Sequence, residues 1–361
     1  MDSLEIPAGD LLLRSWRPAD AADVHRACQD PVLAHWSRLQ RPFPPAEAEK
    51  FVADMIDLHE RDQAVAVAVV NATDGAFLGS VDLRGLDLER GVAELGYWSA
   101  PWARGHRLSE HASRALLSWG FEHLDLARVD WRATVGNHAS RLVGLRLGFS
   151  MIGIRPGRVE EWIAALVPSE LTEAGHEPDP AVRRQARIFG AEQPVLDAGP
   201  LRLRPPAERD RAAIDAAYAD PGSRRWYGSG QPVDDAPLEW ARGREAIFAV
   251  TDRDDAWVGT ADIRVDGKDP AIGEVGFLVA PRARRQGYAS AALRELVRWG
   301  FAELGLMRVQ WRAEVGNEGS RRVAKQAGFT MEGLLRQSLA EDGRRYDCWV
   351  GSMLSTDKAA A

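Results

Sequence analysis

The sequence of 361 residues contains only two cysteines, Cys28 and Cys348. Two cysteines cannot build a disulfide framework, so we expect a protein of the reducing cytoplasm. The sequence has no apolar run near the roughly 18–20 residues of a membrane span, and no basic segment of a signal peptide precedes residue 10. Its net charge of −7 disfavours a nucleic-acid binder that neutralises phosphates. Neither a membrane nor nucleic acid is therefore an expected partner.

What is present is an ordinary globular composition, with 45% hydrophobic and 27% charged residues. The length is about twice that of a typical domain, which favours two domains. The chain repeats itself: residues 94–149 align with 274–329 without a gap, and 27 of 56 positions are identical. This repeat is longer than a solenoid unit, so it indicates a duplicated domain.

Hydrophobic periodicity and turn signals predict an α/β unit in each half, with the element order β-α-α-β-β-β-α-β-α-β-β. In the second half we predict strands at Leu201–Arg204, Ala246–Thr251, Trp257–Val265, Ile272–Val279, Met307–Ala313, Thr330–Gln337 and Arg344–Leu354. We predict helices at Pro206–Ala219, Asp234–Arg244 and Gln286–Leu304, and another that Asn317 caps and that ends at Ala327.

The junction between strand 272–279 and the next helix is the most informative segment. The start of a helix leaves backbone N–H groups unpaired, and these groups together with the helix dipole can bind an anion. Gly287 and Ala289 would let a phosphate approach the backbone, and Arg282, Arg284 and Arg285 add positive charge. The alternative is a solvated basic loop that only begins a helix. The loop has neither a Walker motif nor a dinucleotide fingerprint.

This loop resembles the coenzyme A pyrophosphate loop of the GNAT N-acetyltransferases, with Arg284, Gly287 and Ala289 at the matching positions. Further motifs resemble the RimJ/RimL-type branch, which acts on ribosomal-protein N-termini: Glu274–Phe277, Ala280-Pro281, Asn317 with Ser320, Gly328-Phe329, Glu332–Arg336 and Asp342–Asp347. The resemblance covers the whole second half and, more loosely, the first.

The resemblance implies two tandem GNAT domains of the α/β class (α+β in some schemes). Each would be a twisted, mixed and mostly antiparallel sheet, with splayed central strands and flanking helices. It implies an acyl-CoA co-substrate, most simply acetyl-CoA, and no metal. The pyrophosphate would lie on Arg284, Arg285, Gln286, Gly287, Tyr288 and Ala289, and the pantetheine arm on Phe277, Leu278, Val279 and Asn317.

Acyl transfer to an amine needs a base for the ammonium and an acid for the leaving thiolate. All eight histidines lie at or before His176, so the second half has none. We expect Glu274 to be the base, acting through water, although it could instead only pair with an arginine. Ala324 stands where many relatives of this family have a tyrosine acid, so we assign thiolate protonation to Ser320. Its alternative role is to satisfy local helix N–H groups.

Four aromatic residues lie on segments that would flank the amine acceptor, and core packing is their alternative role: Trp226, Tyr227, Trp240 and Tyr346. The acceptor would be a small-molecule or peptide amine. Alternative donors are an acyl carrier protein and an aminoacyl-tRNA, of which the negative charge and the intact loop disfavour the second. A non-catalytic, CoA-responsive module is a third hypothesis.

The first half departs from the family pattern at the loop, where Arg107 replaces Gly287. A side chain there should obstruct a phosphate or force another backbone path. The hairpin after Phe149 is also about six residues shorter than its counterpart. We therefore expect a degenerate domain at 1–178 that binds CoA poorly, a linker at 179–197 with a short helix near 181–189, and a catalytic domain at 198–361.

Overall fold

The computed structural model describes residues 3–37, 39–227, 232–341 and 343–357. The chain divides into two compact units, Met1–Pro178 and Asp179–Ala361, each with its own hydrophobic core. We call these units 1 and 2. No helix in the described ranges is long and apolar enough to cross a membrane.

The helices and strands of unit 1 contain the predicted order, with one additional strand at the start and one additional helix before the third strand. They are β1 (Glu5–Ala8), β2 (Leu11–Ser15), α1 (Ala21–Cys28), α2 (Pro31–Ser37), α3 (Pro45–Glu60), β3 (Ala64–Asn71), β4 (Phe77–Asp87), β5 (Val92–Ser99), α4 (Leu108–His123), β6 (Arg128–Thr134), α5 (His138–Leu147), β7 (Ser150–Arg155) and β8 (Glu161–Leu166).

Unit 2 repeats this order after one additional helix. Its elements are α6 (Pro180–Phe189), β9 (Leu196–Ala198), β10 (Leu201–Arg204), α7 (Arg211–Ala219), α8 (Pro221–Tyr227), α9 (Pro232–Arg242), β11 (Glu245–Thr251), β12 (Trp257–Val265), β13 (Ile272–Val279), α10 (Tyr288–Ala302), β14 (Arg308–Glu314), α11 (Glu318–Ala327), β15 (Thr330–Glu341) and β16 (Arg344–Leu354).

Each unit contains an eight-stranded sheet, with the orders β1-β2-β3-β4-β5-β6-β8-β7 and β15-β16-β14-β13-β12-β11-β10-β9. In the described residues the only parallel pairs are β5–β6 and β13–β14. The β13–β14 pairing runs from Ile272 with Arg308 to Val275 with Trp311, although β13 continues to Val279 and β14 to Glu314. The two strands therefore separate into a fork, which confirms the predicted mixed sheet with splayed central strands.

Helix α10 covers one face of the unit 2 sheet because its apolar residues recur at three- and four-residue spacing. Leu293, Leu296 and Val297 are each at most 1% exposed. They pack in the same core as Ile263 of β12 and Val309 of β14. The first-turn residues Tyr288 and Ala289 lie beside the end of β13, beyond its last pair with β14.

Besides shifted ends of α9, α10 and β15, the structure differs from the sequence expectations in three places. Helix α7 begins at Arg211 rather than at residue 206, because the preceding Asp210 bonds the Ala207 amide and ends a 3₁₀ turn. The short helix α8 follows Asp220, where only a helix stop was expected. Segment 179–197, expected to be a linker, supplies α6 and most of β9 to unit 2, since its Phe189 and Leu196 pack in that core.

A buried ion pair is repeated at the start of both units. Arg14 binds Asp20 in unit 1 at 2.7 Å and 2.9 Å, and Arg204 binds Asp210 in unit 2 at 2.7 Å and 2.8 Å. Both pairs are bidentate, which fixes the strand relative to the following helix. The duplicated units therefore share polar contacts as well as their hydrophobic pattern.

Candidate active site

The turn before α10 has the geometry of an anion-binding helix start. Gly287 is the N-cap residue with φ +76°, and no side chain caps the helix. The first intrahelical bond shown there runs from the Ala291 amide to the Gly287 carbonyl at 3.1 Å. The amides of the first turn lie ahead of this ladder, at the positive end of the helix dipole. A Cβ on Gly287 would have no heavy atom within 4 Å, so the space in front of the turn is open.

The other predicted loop residues surround this turn in different ways. Arg284 is held at 2.9 Å by Asp220 and at 2.9 Å by the Ser223 hydroxyl, so its charge is already paired. Arg285 is exposed and adopts φ +65°. Gln286 is also exposed and donates to the Arg282 carbonyl at 3.3 Å. Arg282, Arg284 and Arg285 are therefore all exposed, but the charge of Arg284 is already paired with Asp220.

Tyr288 and Ala289 form the first turn of α10 and line a small cavity of about 10 Å³ together with three residues of β13. Those residues are Phe277, Leu278 and Val279, which lie beyond the last β13–β14 pair. Leu278 is 3% exposed and packs in the hydrophobic core of unit 2. The edge of β13 at 276–279 faces away from β12 into the fork, where β14 no longer pairs with it.

Asn317 and Ser320 occupy the start of α11 on the other side of the fork. The Asn317 side chain accepts from the Ser320 amide at 3.1 Å, which confirms the predicted cap. The Ser320 hydroxyl accepts from the indole N–H of buried Trp311 at 3.0 Å. In the bond from Trp311 the Ser320 oxygen is the acceptor, so that bond leaves the hydroxyl proton available to a ligand. A donated hydrogen bond also stabilises the oxygen when that proton is lost.

Glu274 lies on β13 and forms an ion pair with Arg312 of β14, with Nε–Oε2 2.8 Å. Its side chain is 32% exposed. Unit 1 repeats the arrangement, since Arg132 binds Glu94 at 2.7 Å. Pairing with an arginine was the alternative role considered for Glu274, and both roles are compatible with this position at the fork.

The four predicted acceptor residues have different surroundings. Trp240 is buried in the core, where its indole N–H donates to the Ala191 carbonyl at 2.9 Å. Trp226 approaches the start of α11, since a Cβ on Gly316 would lie 3.8 Å from its ring. Tyr346 is half-buried on β16 beyond the end of β14. The backbone of Tyr227 ends α8, and its side chain lies outside the described residues.

The sequence did not predict a cluster of acidic groups that lies on the same sheet face as Glu274. Asp262 of β12 lies within hydrogen-bonding reach of Glu245 of β11, and Tyr218 of α7 lies close to both. Burial, followed by the influence of Glu245, raises the pKa of Asp262 to about 8. The signal was present in the repeat, because Asp82 occupies the equivalent position in unit 1, where burial raises its pKa to about 6.

In unit 1, Arg107 takes the N-cap position of α4 with φ 54° and ψ 26°, close to the 76° and 1° of Gly287. The backbone path is therefore kept, and only the side chain differs. Arg107 binds Glu177, which also accepts from Arg146 at 3.2 Å. Burial raises the pKa of Glu177, but the hydrogen bonds from Arg146 and Arg107 outweigh it and lower the pKa overall. Buried Glu110 lies 3.9 Å from both arginines. The carboxylates of Glu110 and Glu177 thus neutralise the positive charge at this helix start.

Unit 1 nevertheless contains a cavity of about 1210 Å³. Trp36, Phe51 and Trp98 are among its apolar walls, and Asp82 and Arg107 are among its polar ones. A cavity of this size can hold a small molecule. The expectation that unit 1 binds CoA poorly therefore rests on its occupied helix start and not on a filled interior.

The surroundings of Ser140, the counterpart of Ser320 in unit 1, also differ from those in unit 2. Tyr97 stands where unit 2 has Phe277, and its hydroxyl lies 2.9 Å from the Ser140 hydroxyl. The Trp131 indole donates to Tyr97 at 3.1 Å rather than to the serine. Burial raises the pKa of Tyr97 to about 12. Ser140 is therefore engaged by a side chain that unit 2 lacks.

Within the described ranges, no group of three or more His, Cys, Asp or Glu residues is arranged to hold a metal ion. Both cysteines are buried, and burial raises the pKa of Cys28 to about 11. The sites described above consist of backbone amides, carboxylates and hydroxyls.

The sequence family described as "Acetyltransferase (GNAT) domain" matches the chain twice, at residues 10–150 and 200–330. The chain therefore belongs to the GNAT acetyltransferase family and is an acyltransferase. The predicted tandem arrangement is confirmed by the two matches and the two sheets.

Similar proteins include the uncharacterized N-acetyltransferase YoaA of Bacillus subtilis, 28% identical over 171 residues, which are 45% of this chain and 97% of YoaA. The putative ribosomal N-acetyltransferase YdaF of Bacillus subtilis is 42% identical over 76 residues, which are 21% of this chain and 42% of YdaF. Among solved structures, the ribosomal L7/L12 acetyltransferase RimL is 20% identical, with a TM-score of 0.42, over 46% of this chain and 96% of RimL. Mycobacterium smegmatis RimJ in complex with CoA-disulfide is 25% identical, with a TM-score of 0.39, over 45% of this chain and 86% of RimJ.

Proposed function

We propose that unit 2 transfers an acyl group, most simply acetyl, from an acyl-CoA to a primary amine by direct attack. The observation that carries this proposal is the uncapped, open turn at Gly287, which stands beside a fork in the sheet. Amides at a helix start suit a diphosphate, and the free edge of β13 suits an amide-bearing pantetheine arm. Family membership supplies the class of reaction.

Residues on the two sides of the fork would divide the proton transfers. The amine must lose a proton before it attacks, and we assign this proton to the carboxylates on the β13 face, of which Glu274 is the sequence-predicted one. The leaving thiolate takes a proton from Ser320, whose oxygen is held by Trp311. Asn317 keeps the start of α11 in place and can bind the pantetheine arm or the thioester.

The acceptor we propose is an amine of a peptide N-terminus or of a small molecule. YdaF, a putative ribosomal N-acetyltransferase, favours the peptide amine. Trp226 and Tyr346 lie where they could flank such an acceptor, whereas Trp240 supports the core. Unit 1 is proposed to be catalytically inactive, because Glu177 neutralises its helix start and Tyr97 engages its serine.

A donor and acceptor screen tests this function. The full-length protein is incubated with acetyl-CoA, longer acyl-CoAs or an acylated carrier protein, together with peptide or small-molecule amines. Free thiol and acylated product are then measured by a thiol reagent and by mass spectrometry. We expect thiol release that depends on an acyl-CoA and an amine. Release only from the carrier protein would change the donor, and release from no combination would refute the enzyme.

A further inference from the structure

Asp262 occupies a space that the neighbouring strand leaves free for it. It lies on β12 opposite Gly276 of β13. A Cβ on Gly276 would lie 2.6 and 2.7 Å from the two carboxylate oxygens. In unit 1, Asp82 stands opposite Gly96, where a Cβ would lie 2.7 Å from both oxygens. Glycine therefore admits a carboxylate at the edge of the fork in both units.

The surroundings of Asp262 form a carboxyl pair. The groups that face it are Glu245 of β11, Arg264 of β12, Glu274 of β13 and Tyr218 of α7. Arg264 binds Glu245 at 3.0 Å and so secures one member of the pair. Two carboxyl groups within hydrogen-bonding reach resist double ionisation and share a proton. Burial and the neighbouring Glu245 carboxylate therefore raise the pKa of Asp262, which makes this carboxyl group a better proton acceptor than a free carboxylate.

Unit 1 has the aspartate without the pair. Strand register places Ala64 where unit 2 has Glu245, two residues before the partner of the aspartate. Cys28 takes the place of Tyr218, eight residues after the aspartate of the buried ion pair in each unit. The second carboxyl group and the phenol are thus specific to the unit with the open helix start.

We propose that Asp262, paired with Glu245, is the group that accepts the proton of the substrate ammonium. This inference rests on the proposed function. In this proposal Glu274 does not take the proton, because its carboxylate is held 2.8 Å from Arg312. The role left to Glu274 is to orient the amine.

The step balances without a further reactant. One N–H bond of the ammonium breaks, and its proton moves to a carboxylate oxygen of Asp262. The freed electron pair of the nitrogen forms a bond to the thioester carbon, and the C–S bond then breaks with its electrons on sulfur. The thiolate takes up a proton, and the nitrogen loses its second proton to solvent.

The test is the pH dependence of turnover in four full-length variants. Asp262→Asn keeps the shape of the side chain, and we expect it to lower kcat by about 100-fold or more with the KM for acyl-CoA unchanged. Glu245→Gln removes the like charge that helps to raise the pKa of Asp262, so the rise of rate with pH should move to lower pH. Asp82→Asn is the matched control in unit 1 and should leave the profile unchanged.

Glu274→Gln distinguishes the role of Glu274 from that of Asp262. We expect this variant to raise the KM for the amine, while the rise of rate with pH persists. The proposal is overturned if Asp262→Asn keeps the wild-type rate and profile, if Glu245→Gln leaves the profile unmoved, or if Glu274→Gln abolishes the rise. These results would leave the acyltransferase assignment intact. Absence of turnover in the wild-type protein with every donor and amine would instead refute both.

Discussion

Replacing Gly287 with arginine should have two separate effects. Backbone strain should lower the stability of the fold, and the new side chain should weaken CoA binding by blocking the turn. A Cβ at Gly287 meets nothing within 4 Å, so the only cost of the substitution to folding is a side chain at φ +76°. The left-handed conformation costs about 1–2 kcal/mol, which corresponds to a melting temperature lower by about 2–8 °C. Arg107 shows that arginine is accommodated in this conformation.

The effect on the ligand should be larger than the effect on folding. The Gly287→Arg side chain begins where a phosphate would approach the turn, and loss of one charge-assisted hydrogen bond costs about 1.5–3 kcal/mol. We therefore expect CoA to bind about 10- to 150-fold more weakly in isothermal titration calorimetry. Gly105→Arg is the matched control, because Gly105 has φ +85° and equally open space. It should lower the melting temperature to the same degree without changing CoA affinity. Wild-type CoA affinity in a folded Gly287→Arg protein would refute the anion site.

Three further substitutions test other contacts. Ser320→Ala removes the acceptor of a buried indole N–H. It should reduce the free energy of unfolding by about 1–3 kcal/mol and lower kcat in steady-state assays, whereas Ser140→Ala in unit 1 should leave kcat unchanged. Glu177→Ala frees two arginines at the helix start of unit 1. Calorimetry should then show a second, weaker CoA site, and an unchanged stoichiometry would contradict the proposed blockage.

The remaining prediction concerns acid stability. Burial raises the pKa of Asp210, but the Arg204 hydrogen bonds and the Ala207 amide lower it overall. A lowered folded-state pKa stabilises the protein above the unfolded value near about 3.9, and this contribution is lost as pH falls through the folded value. Because Asp255 still pairs with Arg204 at 2.7 Å, Asp210→Asn should cost about 1.5–3 kcal/mol at neutral pH. It should also flatten the loss of stability below about pH 4 in denaturant titrations. If the free energy of unfolding of the variant fell with acid as steeply as that of the wild type, this assignment would be contradicted.

Local patterns predicted most of the unit 2 fold because its elements combine clear periodicity with strong stop signals. The strands Trp257–Val265, Ile272–Val279 and Arg344–Leu354 have the predicted bounds. Helix α8 was missed because Asp220-Pro-Gly normally ends a helix. The structure shows instead that Asp220 accepts from the Ser223 amide and so starts the next helix.

The candidate site was predictable where a motif runs along the chain, as at Gly287 and Asn317. It was not predictable where strands bring distant residues together. Asp262 and Glu245 are separated by 17 positions in the sequence, and only the β11–β12 register places them side by side. Trp240 illustrates the opposite error, since an aromatic residue on a flanking helix packs inward when α6 supplies a partner such as Phe189.

The two helix-start turns differ by an exchange of glycine and arginine two residues apart. Unit 1 has Gly105 and Arg107, unit 2 has Arg285 and Gly287, and all four residues adopt positive φ. Each turn therefore carries one non-glycine residue at positive φ, so the exchange leaves the number of strained residues the same. A duplicated domain could in this way give up one ligand site by moving a glycine, without having to evolve a new loop.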